Sequence, residues 1–296
     1  MLKNEILNQV EKIYKQGGNI IQFLNQADQD LKEAILISYE YQAGTYIDGY
    51  KKNPTTTHKY TDQLISEMKM LGSFDSILEA GVGEATTLRQ IITSKYTLYR
   101  DYYGFDISWS RLKMAQDFLK DTSDKANLFV AELLSIPLMD ESIDVVYTSH
   151  SIEPNGGYEK PILEELYRIT KNYLVLFEPD YEFADDEAKA RMESHGYVKN
   201  LASTAEMLGY NVVKREPLAY VVNPLNPTSV IVIKKSDTKT NSMPKPFQCP
   251  ITKTRLLDCG EIFFAPQAFL MYPVIQGIPC LLDSQAILGC KYGQNE

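Results

Sequence analysis

The chain has 296 residues, 44% of them hydrophobic, and a formal net charge of −9 at pH 7. This length predicts one large or two modest domains, and the apolar content excludes a chain that is disordered throughout. The acidic balance argues against general nucleic-acid binding, which needs an excess of Lys and Arg. No apolar stretch reaches the length of a membrane-spanning helix, and residues 1–5 lack the apolar core of a signal peptide, so a cytoplasmic protein without membrane association is expected.

The first part of the sequence predicts helices. Apolar residues recur at helical spacing over residues 3–15 and 19–41, and a third helix is predicted at 58–71. Residues 1–56 are therefore expected to form a helical unit. This unit either packs on the rest of the protein as a cap or covers a ligand as a lid. His58 follows a Pro-Thr-Thr-Thr run that predicts a loop, and is expected at the surface.

Residues 76–87 have the sequence Ser-Ile-Leu-Glu-Ala-Gly-Val-Gly-Glu-Ala-Thr-Thr, which predicts a strand, a glycine turn and the start of a helix. An α/β protein uses this arrangement to bring backbone N–H groups to a ligand at the carboxyl edge of its sheet. Gly81 permits backbone angles that are closed to other residues, and Gly83 removes a Cβ that would block the ligand. Taken alone, the glycine pair also fits a plain turn between a strand and a helix.

Strands and helices alternate after this turn. The alternation predicts a parallel sheet that is covered by helices on both faces. The strands are predicted at 76–79, 102–106, 128–131, 145–149, 173–177, 211–214 and 229–234, and the helices at 87–94, 111–119, 158–169, 185–191 and 201–208.

Four motifs in a fixed order connect the chain with one enzyme family. Glu79-Ala-Gly-Val-Gly is followed by Asp106 at the end of a strand, where an α/β nucleotide binder holds ribose hydroxyls. A Glu-Leu-Leu-Ser-Ile-Pro stretch begins at Glu132, and an Asp-Val-Val-Tyr-Thr-Ser strand begins at Asp144. Together they make residues 60–235 resemble a class I S-adenosylmethionine-dependent methyltransferase.

The resemblance implies an α/β, Rossmann-like methyltransferase sheet that is mostly parallel with an antiparallel last strand. It implies S-adenosyl-L-methionine as cofactor and S-adenosyl-L-homocysteine as product. Glu84 departs from the family pattern, which often has a third glycine there, so the motif does not fix the shape of the loop. The residues expected to bind the cofactor are Glu79, Gly81 and Gly83 at the methionine moiety, Asp106 at the ribose, Glu132 and Leu133 at the adenine, and also Ile107 and Ser149.

The loop after the fourth predicted strand, residues 149–157, is expected beside the transferred methyl group. His150 or Glu153 could deprotonate a hydroxyl acceptor as general base. The alternative for His150 is a hydrogen bond that orients the loop. The chain lacks the Asn/Asp-Pro-Pro-Tyr/Phe loop of enzymes that methylate amino groups of DNA and protein. Residues 223–227 are predicted to be a hairpin turn.

The acceptor side of the site is predicted from three segments. Residues 39–46 resemble the tyrosine-rich segment that precedes the core in many small-molecule methyltransferases, although tyrosines buried in helix packing explain it equally well. Residues 178–182 are expected to form an acidic rim that repels phosphate-rich ligands. The substrate-side candidates are Tyr41, Tyr46, Asn155, Asp180 and Tyr181.

A polar linker is predicted at 236–246, between the methyltransferase core (57–235) and a small β-rich module (247–296). The module's Tyr-Pro-Val-x-x-Gly-Ile-Pro-x-Leu-Leu motif resembles the zinc-ribbon-like proteins that activate tRNA and release-factor methyltransferases. A ribbon needs Cys-x-x-Cys, but Thr252 holds the second position after Cys249, so a degenerate ribbon without metal is expected. The cysteines of the chain are Cys249, Cys259, Cys280 and Cys290.

Three functions fit these motifs. The first is methyl transfer to a small-molecule acceptor, an oxygen of a sugar or related metabolite. The second is methylation of RNA or protein with the C-terminal module as recognition element, although the acidic balance argues against RNA. The third is a non-catalytic scaffold that binds S-adenosylmethionine. A homo-oligomer, or a partner bound through the C-terminal module, is compatible with each of them.

Overall fold

The computed structural model describes residues 4–18, 20, 23–24, 31–94, 99–122, 124–236 and 246–292. Its centre is a sheet of seven strands. These are β1 (Ser76–Ala80), β2 (Asp101–Asp106), β3 (Ala126–Val130), β4 (Ile143–Ser149), β5 (Thr170–Pro179), β6 (Asn211–Pro217) and β7 (Thr228–Lys234).

The strand order in this sheet is β3-β2-β1-β4-β5-β7-β6. Strands β1 to β5 pair in parallel, whereas β7 is antiparallel to both β5 and β6. The predicted fold class is confirmed. Because the carboxyl ends of the parallel strands meet at one edge, the segments after β1, β2, β4 and β5 come together there.

Helices cover both faces of the sheet and also precede it. In the described part of the chain, the helices before the sheet are α1 (Asn4–Lys15), α2 (Leu31–Gln42), α3 (Thr45–Lys52) and α4 (Pro54–Leu71). Those that follow β1 are α5 (Thr86–Ile92), α6 (Trp109–Phe118), α7 (Glu159–Ile169), α8 (Asp186–Ser194) and α9 (Leu201–Met207).

Two N-terminal features differ from the sequence expectation. Helix α3 was not predicted. The Pro-Thr-Thr-Thr run before His58 is not a loop but the first turn of α4, because proline is well suited to the first position of a helix. His58 is exposed, as expected. The predicted helix over 19–41 lies partly outside the described residues.

The central strands are hydrophobic on both faces, which is typical of a parallel sheet between two helical layers. Their side chains alternate between two buried clusters. Leu78 and Val146 pack in one cluster, and Ile77 and Val145 pack in the other. Burying a side chain of this size contributes about 1.5–3 kcal/mol. These strands therefore give the carboxyl edge of the sheet a rigid base.

The C-terminal residues form a separate antiparallel sheet of short strands. These are β8 (Leu257–Asp258), β9 (Ile262–Ala265), β10 (Leu270–Ile275), β11 (Ile278–Pro279) and β12 (Ile287–Leu288). Residues 237–245 of the predicted linker lie outside the described residues.

This C-terminal sheet packs on the outer edge of the central sheet, at β3. Leu281 N donates to the carbonyl of Val130 (3.0 Å), and Cys280 forms a parallel bridge with the same residue. The ring of Phe247 lies 5.1 Å from that of Phe129, in an edge-to-face arrangement. The free edge of β3 is thereby covered by the chain's own C-terminal part.

The four cysteines are unpaired: Cys249 and Cys280 are buried, and Cys259 and Cys290 are exposed. The Sγ of Cys249 lies 3.2 Å from the hydroxyl of Tyr272. Among the described residues there is no group of three or more His, Cys, Asp or Glu that could hold a metal ion. No helix in the described part of the chain is long and apolar enough to cross a membrane.

Candidate functional site

A cavity of about 840 Å³ lies at the carboxyl edge of the central sheet. It is bounded by the loops after β1, β2, β3 and β4, by the connection between β6 and β7, and by α2, α3 and α4. Its volume lies within the range of natural ligand sites. The cavity thus collects segments that are far apart in the sequence.

The glycine loop after β1 is shaped by a contact with the loop after β4. Gly81 has φ +74°, and a Cβ there would lie 2.2 Å from the Cβ of Ser151. Ser151 Oγ in turn donates to the carbonyl of Ala80 (2.7 Å). Gly83 has φ +53° and borders the cavity, and the atom nearest to a Cβ on this residue would be 3.7 Å away. Gly81 therefore permits close loop packing, and Gly83 leaves space for a ligand.

Two buried carboxylates line the cavity at the ends of β1 and β2. Asp106 accepts from the backbone N–H of Gly83 (3.0 Å) and of Ser108 (2.9 Å). Glu79 accepts from the hydroxyl of Tyr147 (2.7 Å), its partner across the sheet. Burial raises the pKa of both carboxyls, that of Glu79 to about 8. Each has lone pairs left for a donor group of a ligand, which suits ribose hydroxyls at Asp106 and an ammonium group at Glu79.

Glu84, the departure from the family pattern, links the glycine loop to α3. Its carboxylate accepts from the backbone N–H groups of Gly44 (2.9 Å), Tyr46 (3.4 Å) and Ile47 (2.8 Å). These are the groups that an α-helix leaves without partners at its start. A glycine at this position could not provide the cap. We call residues 39–47 the roof segment, because Tyr39 and Tyr46 line the cavity from the helices that precede the sheet.

Two further contacts join the roof segment to α6. Glu40 accepts from the hydroxyl of Ser108 (2.7 Å) and the N–H of Ser110 (3.3 Å) at the start of that helix. Arg111, in the first turn of α6, donates to the carbonyl of Tyr39 (3.4 Å) and to Oε1 of Gln42 (3.2 Å). The roof segment is therefore attached to the loops after both β1 and β2.

His150 and Glu153, the two predicted candidates for a general base, form one hydrogen-bonded pair. Nδ1 of His150 lies 2.8 Å from Oε2 of Glu153, and its Nε2 lies 3.0 Å from Oγ1 of Thr228. Asn226 Nδ2 donates to the same carboxylate oxygen (3.0 Å). Burial disfavours the imidazolium, but the hydrogen bond and charge of Glu153 outweigh it, so the pKa of His150 is raised. All four side chains border the cavity.

Glu178 fixes the backbone of the loop that carries this pair. Its carboxylate accepts from the backbone N–H groups of residues 151–153, at 3.0, 3.2 and 3.2 Å. Burial raises its pKa to about 7. The sequence placed Glu178 in an acidic rim, and this is wrong: its side chain is buried and fixes the loop that carries His150 and Glu153.

Asp180 and Tyr181 lie outside the lining of the cavity. The Asp180 carboxylate is buried and forms two hydrogen bonds with Arg215, at 2.9 and 2.6 Å. The hydroxyl of Tyr181 donates to Glu193 (2.7 Å). Tyr41 also faces elsewhere: it packs with the N-terminal helices, its ring 5.9 Å from that of Tyr14. The surroundings of these three residues therefore do not support the substrate contacts that the sequence suggested.

The other predicted site residues meet at the cavity. They come from five separate segments that the fold brings to one edge. The residues concerned are Tyr46, Glu79, Gly81, Gly83, Asp106, Ile107, Glu132, Leu133, Ser149, His150, Glu153 and Asn155.

The sequence reasoning missed several residues of the wall. The hydroxyl of Tyr60 on α4 forms a hydrogen bond with Oγ of Ser149 (2.9 Å). Tyr60, Arg111, Asn226 and Thr228 all line the cavity. Asn226 lies in the stretch that was predicted to be only a hairpin turn. The sequence carries no local signal for these positions, because each depends on a contact with a residue more than twenty positions away.

A family of known proteins matches part of this chain. Residues 78–176 match the family model described as a methyltransferase domain. The matched segment runs from β1 to β5 and covers about a third of the chain. The predicted enzyme class, an S-adenosylmethionine-dependent methyltransferase, and the predicted cofactor, S-adenosyl-L-methionine, are confirmed. No curated protein sequence matches the chain.

Solved structures show the same fold at low sequence identity. Magnesium protoporphyrin IX methyltransferase (ChlM) from Synechocystis PCC 6803, with bound S-adenosylhomocysteine, is 11% identical with a TM-score of 0.51, over 68% of this chain and 99% of that chain. The complex of the Haloferax volcanii Trm112 methyltransferase activator with the putative methyltransferase contains a chain that is 16% identical with a TM-score of 0.50, over 66% of this chain and 96% of that chain. At these identities the likeness establishes the fold and leaves the acceptor open.

Proposed function

We propose that the chain transfers the methyl group of S-adenosylmethionine to an oxygen of a small molecule, such as a sugar or related metabolite. The observation that carries this proposal is the His150–Glu153 pair on the cavity wall. A hydroxyl must lose its proton when it is methylated, and a carboxylate–imidazole pair can take up that proton. Glu178, Asn226 and Thr228 hold the pair in place.

The cofactor residues would act on different parts of the same molecule. Glu79 would accept from the amino group and Asp106 from the ribose hydroxyls, while Glu132 and Leu133 would flank the adenine. When bound, S-adenosylmethionine supplies a methyl group activated by the sulfonium. The chain itself provides orientation and a protected cavity, which together account for much of the rate of such a transfer.

Two features favour a small acceptor over RNA. The roof segment contributes Tyr39 and Tyr46 to the cavity wall and is fixed to the glycine loop, so it restricts the space beside the cofactor. Among the described residues that line the cavity, one Arg and no Lys face five carboxylates. Such a wall disfavours ligands rich in phosphate.

The experiment that tests this function uses S-adenosylmethionine labelled in its methyl group. The purified chain is incubated with a metabolite fraction, with bulk tRNA and with a protein extract in parallel. We expect label in a small molecule, and we expect His150→Ala and Glu153→Gln to remove most of it while S-adenosylhomocysteine still binds. Label in RNA or protein instead, or unchanged transfer by both variants, would contradict the proposal.

Three further expectations stand as proposals beside it. We propose the division into residues 1–56, 57–235, 236–246 and 247–296, supported by the separate sheet of the C-terminal part. We propose a degenerate ribbon without zinc, supported by Thr252 at a ligand position, which zinc analysis of the purified protein would test. A cytoplasmic location is supported by the four unpaired cysteines.

A partner or a second copy of the chain bound through the C-terminal module stays a proposal as well. The Haloferax volcanii relative in a complex with the Trm112 activator supports it. Light scattering of the purified chain distinguishes a monomer from a homo-oligomer.

A further inference from the structure

Arg111 lies beside the glycine loop, in the first turn of α6. It is 5% exposed and lines the cavity. Its Nη1 lies 3.7 Å from the position that a Cβ on Gly83 would take. The backbone of Gly83 donates in turn to Asp106 (3.0 Å). The guanidinium therefore borders the part of the cavity between the expected ribose site and the glycine loop.

The guanidinium is held from the roof side and keeps one nitrogen available. Nε and Nη2 donate to Tyr39 and Gln42, as described above. The ring centroids of Tyr39 and Tyr46 lie 4.1 and 5.0 Å from its central carbon. Nη1 has no hydrogen-bond acceptor within the described part of the chain. A fixed cation with a free donor is well suited to bind a carboxylate.

The charges on the cavity wall identify the same side chain. The amino-acid end of S-adenosylmethionine carries an ammonium and a carboxylate. The carboxylates of the cavity wall attract the ammonium of this ligand and repel its carboxylate. Arg111 is the one Lys or Arg among the described residues that line the cavity. The acidic residues of this wall are Glu79, Glu84, Asp106, Glu132 and Glu153.

We propose that Arg111 binds the carboxylate of the methionine moiety, and that the roof segment positions its guanidinium for this task. The proposal deepens the function proposed above and rests on its cofactor. It gives the roof segment a role in cofactor binding, because Tyr39 and Gln42 hold the group that contacts the ligand. The amino group on the same carbon atom is assigned to Glu79.

The test compares three ligands by calorimetric titration. S-adenosylmethionine has both the amine and the carboxylate, its decarboxylated form keeps the amine alone, and 5′-methylthioadenosine has neither. Arg111→Gln should raise the Kd of S-adenosylmethionine by about 10- to 100-fold, the range expected for loss of a charge-assisted hydrogen bond. It should leave the other two ligands unchanged. Arg111→Lys should restore part of the affinity, because it keeps the charge and loses the planar geometry.

Two matched variants separate the possible causes. Glu79→Gln should weaken both ligands that have the amine and spare 5′-methylthioadenosine, whereas Asp106→Ala should weaken all three, since each has the ribose. Binding of 5′-methylthioadenosine by Arg111→Gln also shows that this variant is folded. If Arg111→Gln weakens the three ligands equally, Arg111 only supports the roof segment and the inference is overturned. If the unsubstituted chain binds none of them, the cofactor role itself fails, and the inference fails with it.

Discussion

Glu79 is a buried carboxyl, and its ionised form is unfavourable for the stability of the ligand-free protein but favourable for binding a cationic ligand group. Burial raises this pKa from 4.5 to about 8, so the folded protein binds a proton that the unfolded chain releases. The free energy of unfolding therefore decreases as the pH rises from about 4.5 to about 8. A cationic ligand group beside Glu79 would favour the ionised carboxylate, so binding of the ligand would offset the loss of stability at higher pH.

Glu79→Gln should therefore stabilise the ligand-free protein at pH 8 and change it little at pH 5, where the native carboxyl is already protonated. The same change should weaken S-adenosylmethionine binding. Thermal unfolding followed between pH 5 and pH 8 measures the first effect and titration calorimetry the second. A shift in Tm that is equal at all pH values would show that the Glu79 charge is not the cause.

The His150–Glu153 pair predicts a titration that can be observed directly. Burial disfavours the imidazolium of His150, and Glu153 outweighs this effect and raises the pKa of His150, so Glu153→Gln should lower that pKa. Because the raised pKa stabilises the folded state below about pH 6.5 and this gain is lost above the folded pKa, the variant should be destabilised more at pH 6 than at pH 9.

NMR of the imidazole Cε1–H groups checks this prediction, since the chain has only three histidines. If the pKa of His150 does not move in Glu153→Gln, the pair is not coupled in solution.

Helix α3 illustrates how an element can depend on a residue far away in the sequence. It has only eight residues, includes Gly49, and is too short to be stable in isolation. Its start is stabilised by Glu84 of the glycine loop, whose carboxylate accepts hydrogen bonds from three backbone N–H groups at the start of the helix. The start of α3 therefore depends on a contact with the glycine loop.

We expect Glu84→Ala to loosen the roof segment while the sheet stays intact. Three N–H groups would lose their acceptor, and loss of a helix cap costs about 0.5–2 kcal/mol. Hydrogen exchange in residues 44–52 should become faster, whereas exchange in β4 should not change. Glu84→Gln, which keeps one acceptor oxygen, should have a smaller effect. Unchanged exchange in residues 44–52 would show that Glu84 is not the cap in solution.

The same helix explains which elements the sequence could predict. Strands β1, β4 and β5 were predictable because continuous apolar runs between turn residues are typical of buried parallel strands. Helix α3 was not, because its cap lies about forty residues further along the chain. The Tyr41 prediction chose the wrong face of α2: Tyr39, two residues earlier, lines the cavity.

The candidate site divides in the same way. The location of Asp106, His150 and Glu153 at the cavity could be predicted, because each lies at or just after the carboxyl end of a parallel strand. Asn226 and Thr228 could not, since only the pairing of β7 with β5 brings them beside the loop after β4. The role of Arg111 depends on how the roof segment folds over α6, which no local pattern contains.

At the scale of the whole molecule, the C-terminal module and the core share one hydrophobic cluster. Phe247 is 5% exposed and packs between Phe129 of β3 and Phe263 of β9, with ring centroids at 5.1 and 5.2 Å. The neighbouring backbone also crosses the junction, because Gln248 N donates to the carbonyl of Pro137 (3.1 Å). The module thus supports the same segment, after β3, that leads through the expected adenine contacts.

Phe247→Ala should therefore destabilise the core as well as the module. Removal of a buried phenylalanine costs about 3–5 kcal/mol, so urea unfolding should shift to clearly lower denaturant in a single transition. Phe269→Ala is the matched control, because Phe269 is 44% exposed and should contribute little. Two separate transitions, with only one of them shifted, would instead mean that the module unfolds independently. In that case the core would be stable without the C-terminal module, and the packing of the module on β3 would not contribute to the stability of the core.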